Sequence, residues 1–378
     1  NLRCSYCYQN GKQRRAMGWP VLQAALDVLL ALPAPALNVS FYGGEPTLEF
    51  GSLRRAVEYL TGLRGVHRVT FHVTTNGVLV QREQLAFLAR HDFLVDVSMD
   101  GAASAQDLRQ AETFRQLDAL LGRWRSEHPA HFDRRCRVAV TLTRAGIPHL
   151  ADSFEYLLAK HVPCVALQAV MAGREWSGDD LEQLDSQLAR IGARSLDHYR
   201  QTGNVPLAAF GGGPDGQARD CAATGDCVAS RGELLAVDVD GTAYACALAA
   251  RSYQRFENGD VDRALQRLAL GNVRDHGFAA RLEALPAITL ESGVFVPRPL
   301  QHAGGRACAA CPDRGDCFVC PIVRARQAPP GDRNAVPVHL CAFNRLLAKH
   351  RRRFRERSGA GDTDRLLSWL FSEGRPSS

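Results

Sequence analysis

Two places in this chain bring together residue types that can do metal or redox chemistry. Near the front, Cys4-Ser5-Tyr6-Cys7 sets two thiols on one short loop, and Phe41-Tyr42-Gly43-Gly44-Glu45-Pro46 follows. A C-x-x-C pair alone fits a zinc ribbon or a redox pair equally well. The paired glycines, however, let backbone amides and carbonyls come close to a ligand, and Glu45 can accept a hydrogen bond from an ammonium group. Towards the back stand Cys221-x5-Cys227, Cys246, Cys308-x2-Cys311-x5-Cys317-x2-Cys320 and Cys341. Eight cysteines make two Cys4 sets, suited to structural zinc or to iron–sulfur clusters. Of the 12 cysteines only Cys136 and Cys164 fall outside these groups. Each opens an apolar run, so both are expected to be small buried hydrophobes.

The elements that must position these residues alternate. Helical spacing over 20–32, 51–63, 82–90, 112–126, 150–160 and 178–201 is interleaved with β-rich runs at 37–42, 68–74, 94–98, 137–143 and 164–170. Such βα alternation predicts parallel strands with crossover helices, an α/β barrel or open sheet. A sixth strand is expected before Asn1. From about residue 203 the alternation stops and glycine and cysteine accumulate. The run 233–246 reads as a hairpin about Asp240-Gly241, and 342–357 reads as a helix closing a second domain. The expected organisation is a barrel over 1–204, a cysteine-rich domain over 205–345, and a helix and tail over 346–378.

Composition narrows the function classes. The 378 residues are 46% hydrophobic and 23% charged, ordinary for a globular protein, with no apolar run long enough for a membrane span. The net charge of +6 comes from arginine, since lysine occurs only at Lys12, Lys160 and Lys349. The single dense basic run, Arg351-Arg352-Arg353-Phe354-Arg355, lies in a helical segment and reads as a solvated face. No nucleic-acid or membrane partner is expected. Clustered cysteines without a signal peptide in view point to a reducing, cytoplasmic setting, where such clusters hold metal.

At the front cluster the sequence resembles the radical S-adenosylmethionine (radical SAM) superfamily, whose signature is C-x-x-x-C-x-aromatic-C followed by Gly-Gly-Glu-Pro. Asn1 to Cys7 fits from one residue after the first cysteine, which would immediately precede Asn1. The resemblance implies a partial (β/α)6 barrel. It also implies a four-iron cluster on three thiolates, Cys4 and Cys7 among them, whose open iron chelates S-adenosylmethionine. Cleavage of that cofactor would give a 5′-deoxyadenosyl radical. Tyr6 would lie against the adenine, while Gly43, Gly44 and Glu45 meet the methionyl amino group. Ser98 would face the cofactor, Arg109 would pair with the methionyl carboxylate, and Leu167 would pack on the adenine. Thr75-Asn76-Gly77 reads either as a ligand loop or as an ordinary turn.

The back cysteines resemble the SPASM domain, a small α+β extension carrying two auxiliary four-iron clusters. Its pattern is a cysteine, Gly-x4-Cys, a C-x2-C-x5-C-x3-C block and a last cysteine. Here the block ends in x2. The resemblance implies ligands Cys221, Cys227, Cys246 and Cys320 for the nearer cluster, and Cys308, Cys311, Cys317 and Cys341 for the farther one. Three four-iron clusters and S-adenosylmethionine are thus the expected cofactors, with a reductant such as flavodoxin or ferredoxin. The expected substrate is a side chain of a ribosomal precursor peptide or protein, with no catalytic base assigned. Sulfatase-maturating relatives carry an aspartate after the Gly-x4-Cys cysteine; here that residue is Ala247, which makes formylglycine formation the second choice. A free small molecule as substrate, or a zinc-stapled binding protein, would be a different class.

Overall fold

The computed structural model describes residues 1–9, 15–63, 67–171, 176–211, 227–253, 259–295, 308–313, 317, 319–327 and 335–359. Cys221 and the tail from 360 lie outside them. Five parallel strands run in the order β1 (Ala36–Phe41), β2 (Arg68–Thr75), β3 (Leu94–Ser98), β4 (Cys136–Leu142) and β5 (Cys164–Ala169). Helices α1 (Trp19–Leu30), α2 (Phe50–Gly62), α3 (Arg82–Arg90) and α7 (Leu150–Ala159) fill the βα alternation. Between β3 and β4 the chain makes three helices rather than one: α4 (Ala103–Arg109), α5 (Phe114–Glu127) and α6 (Pro129–Arg135). Only α5 has the periodic apolar spacing that announces itself; α4 and α6 are seven residues each.

The sheet has two unlike faces, because side chains alternate along a strand. Val73, Val95, Val97, Val138, Val140 and Leu142 join Leu53, Leu88, Leu117, Trp124 and Leu157 from the helices in one buried core. The other face carries Ser40, His72, Asp96, Ser98, Arg137 and Thr141. Parallel sheets are ordinarily covered and apolar on both faces, so a polar row here marks a face built to meet something other than a helix.

Past β5, helix α8 (Gly178–Thr202) starts at a capping box in which Ser177 and Asp180 satisfy each other's backbone amides. The chain then returns to the sheet: Val165 N donates to Pro206 O at 2.8 Å and Ala208 N to Val165 O at 3.0 Å. Leu207 and Phe210 are buried in the barrel core. The hairpin forms from Ala236–Val237 and Thr242–Tyr244, and a third strand that no β-rich run betrays, Ala269–Asn272, completes a small antiparallel sheet. Its core of Tyr244, Leu265, Leu270, Phe278 and Ile322 also takes Ala24, Ala25 and Val28 of α1.

The closing helix, Val338–Ser358, does more than cap the second domain. Phe343 and Phe354 enter the barrel core, and Asp185 of α8 takes Lys349 at 2.6 Å and His350 at 2.7 Å. Its arginines meanwhile reach Asp313 in the cysteine-rich region. It bridges both halves.

Candidate cofactor and substrate site

The sequence-flagged front residues converge at the C-terminal edge of the sheet. Cys4 and Cys7 sit on a turn closed by Cys7 N donating to Cys4 O at 3.1 Å. That turn is stitched to the end of α4: Ser5 N donates to Arg109 O at 3.3 Å, Ser5 Oγ to Leu108 O at 2.9 Å, and Arg3 N to Gln110 Oε1 at 2.9 Å. Both thiols are partly exposed. Beside them, the space in front of Gly43 and Gly44 is open, with nothing within 4 Å of where a Cβ would stand. Gly43 O takes a bond from Gln9 Nε2 at 2.9 Å, and a carbonyl oxygen has a second lone pair for another donor.

Glu45 is 6% exposed and already engaged. Its Oε1 accepts from Thr47 N, Thr47 Oγ1 and Thr75 Oγ1 at 3.1, 2.6 and 2.7 Å. Among the described residues its Oε2 accepts only from Asn76 N, at 2.7 Å. One lone pair on Oε2 remains for an ammonium group. Thr75 and Asn76 therefore hold Glu45, and Asn76 Oδ1 closes a turn with Val78 N at 3.1 Å.

Arg109 lies under the cysteine loop, its guanidinium 5.5 Å from the centre of the Tyr6 ring. Its Nη1 donates to Asp100 Oδ1 at 3.2 Å, while its buried Nε has no hydrogen-bond partner among the described residues. Burial opposes its charge, but Asp100, Tyr6 and Cys4 outweigh that and hold its pKa above the ordinary value. A buried, permanently cationic edge with an orphaned N–H suits a carboxylate. Burial lifts the Tyr6 phenol well above its usual range, against Arg109 and with Asp100, so it stays protonated. Asp100 was not marked by any motif; burial lifts its carboxyl too, against the pull of Arg109 and the bonds from Tyr6 and Thr141 N. It stands where β3 turns into α4, and Gly101 makes that turn possible: at φ +110° its Cβ would fall 2.2 Å from Ser153 Cβ.

Ser98 ends β3 on the polar face, in register with Ala139. Leu167 does not join it. It pairs in register with Val140 and packs into the barrel core, so it faces the helices, and Gln168 opposite Thr141 takes the polar face. The expectation that Leu167 meets the adenine is corrected by this one-residue alternation.

One pleat below Ser98, a polar row crosses four strands. Arg137 grips Asp96 through Nε at 2.5 Å and Nη2 at 2.6 Å. Asp96 Oδ2 accepts from His72 Nε2 at 3.0 Å, and His72 Nδ1 lies 3.2 Å from Ser40 Oγ. Burial raises the Asp96 carboxyl, but His72 and Arg137 outweigh it and hold it below the ordinary aspartate value. An ionised Asp96 favours a proton on the facing Nε2, and Nδ1 is turned to Ser40 Oγ. Alternation in the strands was the signal that could have found this row.

Two tyrosines link this edge to the second half. The phenols of Tyr8 and Tyr42 hydrogen-bond each other, and Tyr42 stacks on Tyr253 with centroids 5.7 Å apart and planes 13° apart. In the cysteine-rich region the thiols fall into two neighbourhoods. Burial pushes Cys246 up to about 12, with Cys320 and Cys227 adding to it. Burial pushes Cys317 up to about 11, eased by Asn344 and reinforced by Cys341, Cys308 and Cys311. Cys341 is raised by burial against Arg345, with Cys308 and Cys311 adding. Among the described residues no three His, Cys, Asp or Glu side chains close on a single metal ion; the thiolates of a four-iron cluster stand wider apart than the ligands of one ion. Cys136 and Cys164 are buried, as their surroundings in sequence implied.

Comparison with known proteins decides the front half. A profile of the radical SAM superfamily matches residues 1–154. The front of the chain, residues 1–154, is a radical SAM domain. It is the domain of enzymes that use S-adenosylmethionine. An uncharacterized protein of Methanocaldococcus jannaschii is 26% identical over 168 residues, 44% of this chain and 57% of that protein. The cysteine-type anaerobic sulfatase-maturating enzyme of Clostridium perfringens is 30% identical over 127 residues, 30% of this chain and 33% of its own length. The chain thus aligns with only part of these curated relatives. Among solved structures, anSMEcpe with bound AdoMet superposes at a TM-score of 0.72 with 17% identity, over 98% of this chain and 95% of that one. SuiB of Streptococcus suis, bound to precursor peptide SuiA, superposes at 0.54 with 14% identity, over 90% and 73%. At these identities the two structures speak for the fold of this chain. No helix among the described residues is long and apolar enough to cross a membrane.

Proposed function

We propose that this radical SAM protein reductively cleaves S-adenosylmethionine and uses the resulting radical to modify a side chain of a ribosomal precursor peptide or protein. The observation that carries the reading is the convergence on one sheet edge of the Cys4–Cys7 loop, the free lone pair of Glu45, the open space at Gly43-Gly44 and the orphaned Nε of Arg109. These groups fit an iron-bound amino acid: thiolates for the cluster, acceptors for the amino group and a cation for the carboxylate. When bound, the cluster and its cofactor supply an electron and a 5′-deoxyadenosyl radical. The protein's own work is to fix the methionyl ends through Gly43, Gly44, Glu45 and Arg109, with Tyr6 and Ser98 beside them.

A substrate radical that ends as an oxidised product must also shed a proton. His72 is the base on the polar face, oriented by Asp96 and Arg137 as a carboxylate orients a catalytic histidine. Its Nδ1 would accept that proton, and an auxiliary cluster held by the back cysteines would supply an acceptor for the electron. The two thiol neighbourhoods, Cys227 with Cys246 and Cys320, and Cys308 with Cys311, Cys317 and Cys341, support two auxiliary four-iron clusters, with Cys221 completing the first. A flavodoxin- or ferredoxin-type protein is the proposed electron donor. The bound peptides of the SuiB and anSMEcpe structures make a peptide the favoured substrate.

Formylglycine formation is the second reading, favoured by the similarity to the Clostridium perfringens sulfatase-maturating enzyme. Ala247 after Cys246 weighs against it. The test is incubation of reduced holoprotein and S-adenosylmethionine with precursor peptides encoded beside its gene and with a cysteine-bearing sulfatase peptide. A mass change in a neighbouring peptide supports the first reading; a net loss of about 18 Da, hydrogen sulfide leaving and one oxygen of water entering, or any conversion confined to the sulfatase peptide, supports the second.

A further inference from the structure

The mechanism above leaves Asp100 without a part. Its side chain is 7% exposed, yet it holds an ion pair. Oδ1 accepts from Arg109 Nη1 at 3.2 Å and from Thr141 N at 2.9 Å, and Oδ2 accepts from the Tyr6 phenol. Its own amide donates to Gln106 Oε1 at 2.9 Å, and Gln106 Nε2 reaches Thr113 Oγ1 at 2.9 Å. One carboxylate therefore collects donors from the cysteine loop, the end of α4 and β4. Buried ion pairs are often replaceable by apolar groups without loss of stability. What this one adds is orientation: it ties down Nη1 of Arg109 and leaves the Nε edge without a partner.

We infer that Asp100 is a positioning residue, locking the Cys4–Cys7 loop and Arg109 into one unit so that cluster and cofactor carboxylate meet in a fixed relation. The inference rests on the function proposed above and assigns a role that neither thiolate nor guanidinium can fill. Asp100 acts through Tyr6 and Arg109 and does not touch the cofactor, because Oδ1 is taken by two donors and Oδ2 faces Tyr6. Its two links are separable. The Arg109 link governs affinity for S-adenosylmethionine, and the Tyr6 link governs how firmly the loop keeps its iron.

The test compares anaerobically reconstituted wild-type holoprotein with Asp100→Ala, Asp100→Asn and Tyr6→Phe. Two quantities are read: S-adenosylmethionine affinity by calorimetry, and the rate of iron loss to a chelator without S-adenosylmethionine. Asp100→Ala should bind the cofactor at least about tenfold more weakly, as expected for a displaced charge-assisted contact, and should lose iron faster. Asp100→Asn keeps an acceptor oxygen for Arg109 and Thr141 and should recover most of the affinity. Tyr6→Phe should lose iron faster than wild type. A folded Asp100→Ala protein with wild-type affinity overturns the inference, as does wild-type iron retention in Tyr6→Phe, which decides the matter even if Asp100→Ala fails to fold. Wild-type protein with full iron and no cofactor binding would instead overturn the proposed function, with iron loss still judging the Tyr6 link.

Discussion

The phenol of Tyr6 donates to the carboxylate of Asp100, 94 residues away in sequence, and the same carboxylate takes the guanidinium of Arg109. The cysteine loop and the cation expected to hold the cofactor are thus joined through one side chain. This relation makes the front edge of the sheet a single preorganised site.

Arg109→Ala should weaken S-adenosylmethionine binding by roughly 1.5–3 kcal/mol, the value of a hydrogen bond to a charged group. Isothermal calorimetry on the oxidised, cluster-loaded holoprotein, which binds the cofactor without cleaving it, measures it. Unchanged affinity would mean that another cation holds the carboxylate.

How much of this was legible without coordinates depends on the kind of signal. The five strands and their crossover helices announced themselves through alternation, and α3 and β3 begin and end where the spacing put them. Gly43, Gly44 and Glu45 stand on the loop after β1 and Arg109 ends α4 after β3, so both meet the Cys4–Cys7 turn at one edge of the sheet. Leu167 went astray because a strand offers two faces and a motif does not say which. Asp100, His72, Asp96 and Arg137 were missed because their meaning lies in register between strands distant in sequence. The short strand Ala269–Asn272 carries too few β-formers to stand out.

His72→Gln should leave cleavage of S-adenosylmethionine intact and slow peptide modification by roughly 10²–10⁴-fold, the usual worth of a positioned base. The readout is product per 5′-deoxyadenosine formed, with any peptide that the wild type modifies. An unchanged ratio removes His72 from the chemistry.

Cys246→Ala should remove about four irons and abolish peptide modification while cofactor cleavage under strong reductant persists. Iron counts and circular dichroism accompany the assay, since losing a cluster can unfold its domain. A folded variant that makes product at the wild-type rate would reduce the back clusters to structural staples.

His131 gives a pH-dependence with a definite sign. Burial depresses its pKa from 6.5 to about 4, with Trp124 Nε1 donating to Nδ1 at 3.0 Å and Nε2 on Phe93 O at 2.9 Å. Between these values the unfolded chain binds the proton and the folded one does not. Stability is therefore fully present above about pH 6.5 and falls as pH drops towards 4, by up to about 3 kcal/mol from this group. Urea unfolding at pH 7, 6 and 5 (arbitrary points, about one unit apart) should show a steeper loss in wild type than in His131→Gln. Parallel losses would mean that His131 titrates normally.

The most direct test of the whole account is the fate of S-adenosylmethionine on anaerobic, iron-reconstituted protein given dithionite. Liquid chromatography with mass detection should find 5′-deoxyadenosine and methionine accumulating in equal amounts, and neither when Cys4 and Cys7 are alanine. Protein that carries its full iron yet leaves S-adenosylmethionine intact, or that fills its cysteines with zinc, would contradict the account.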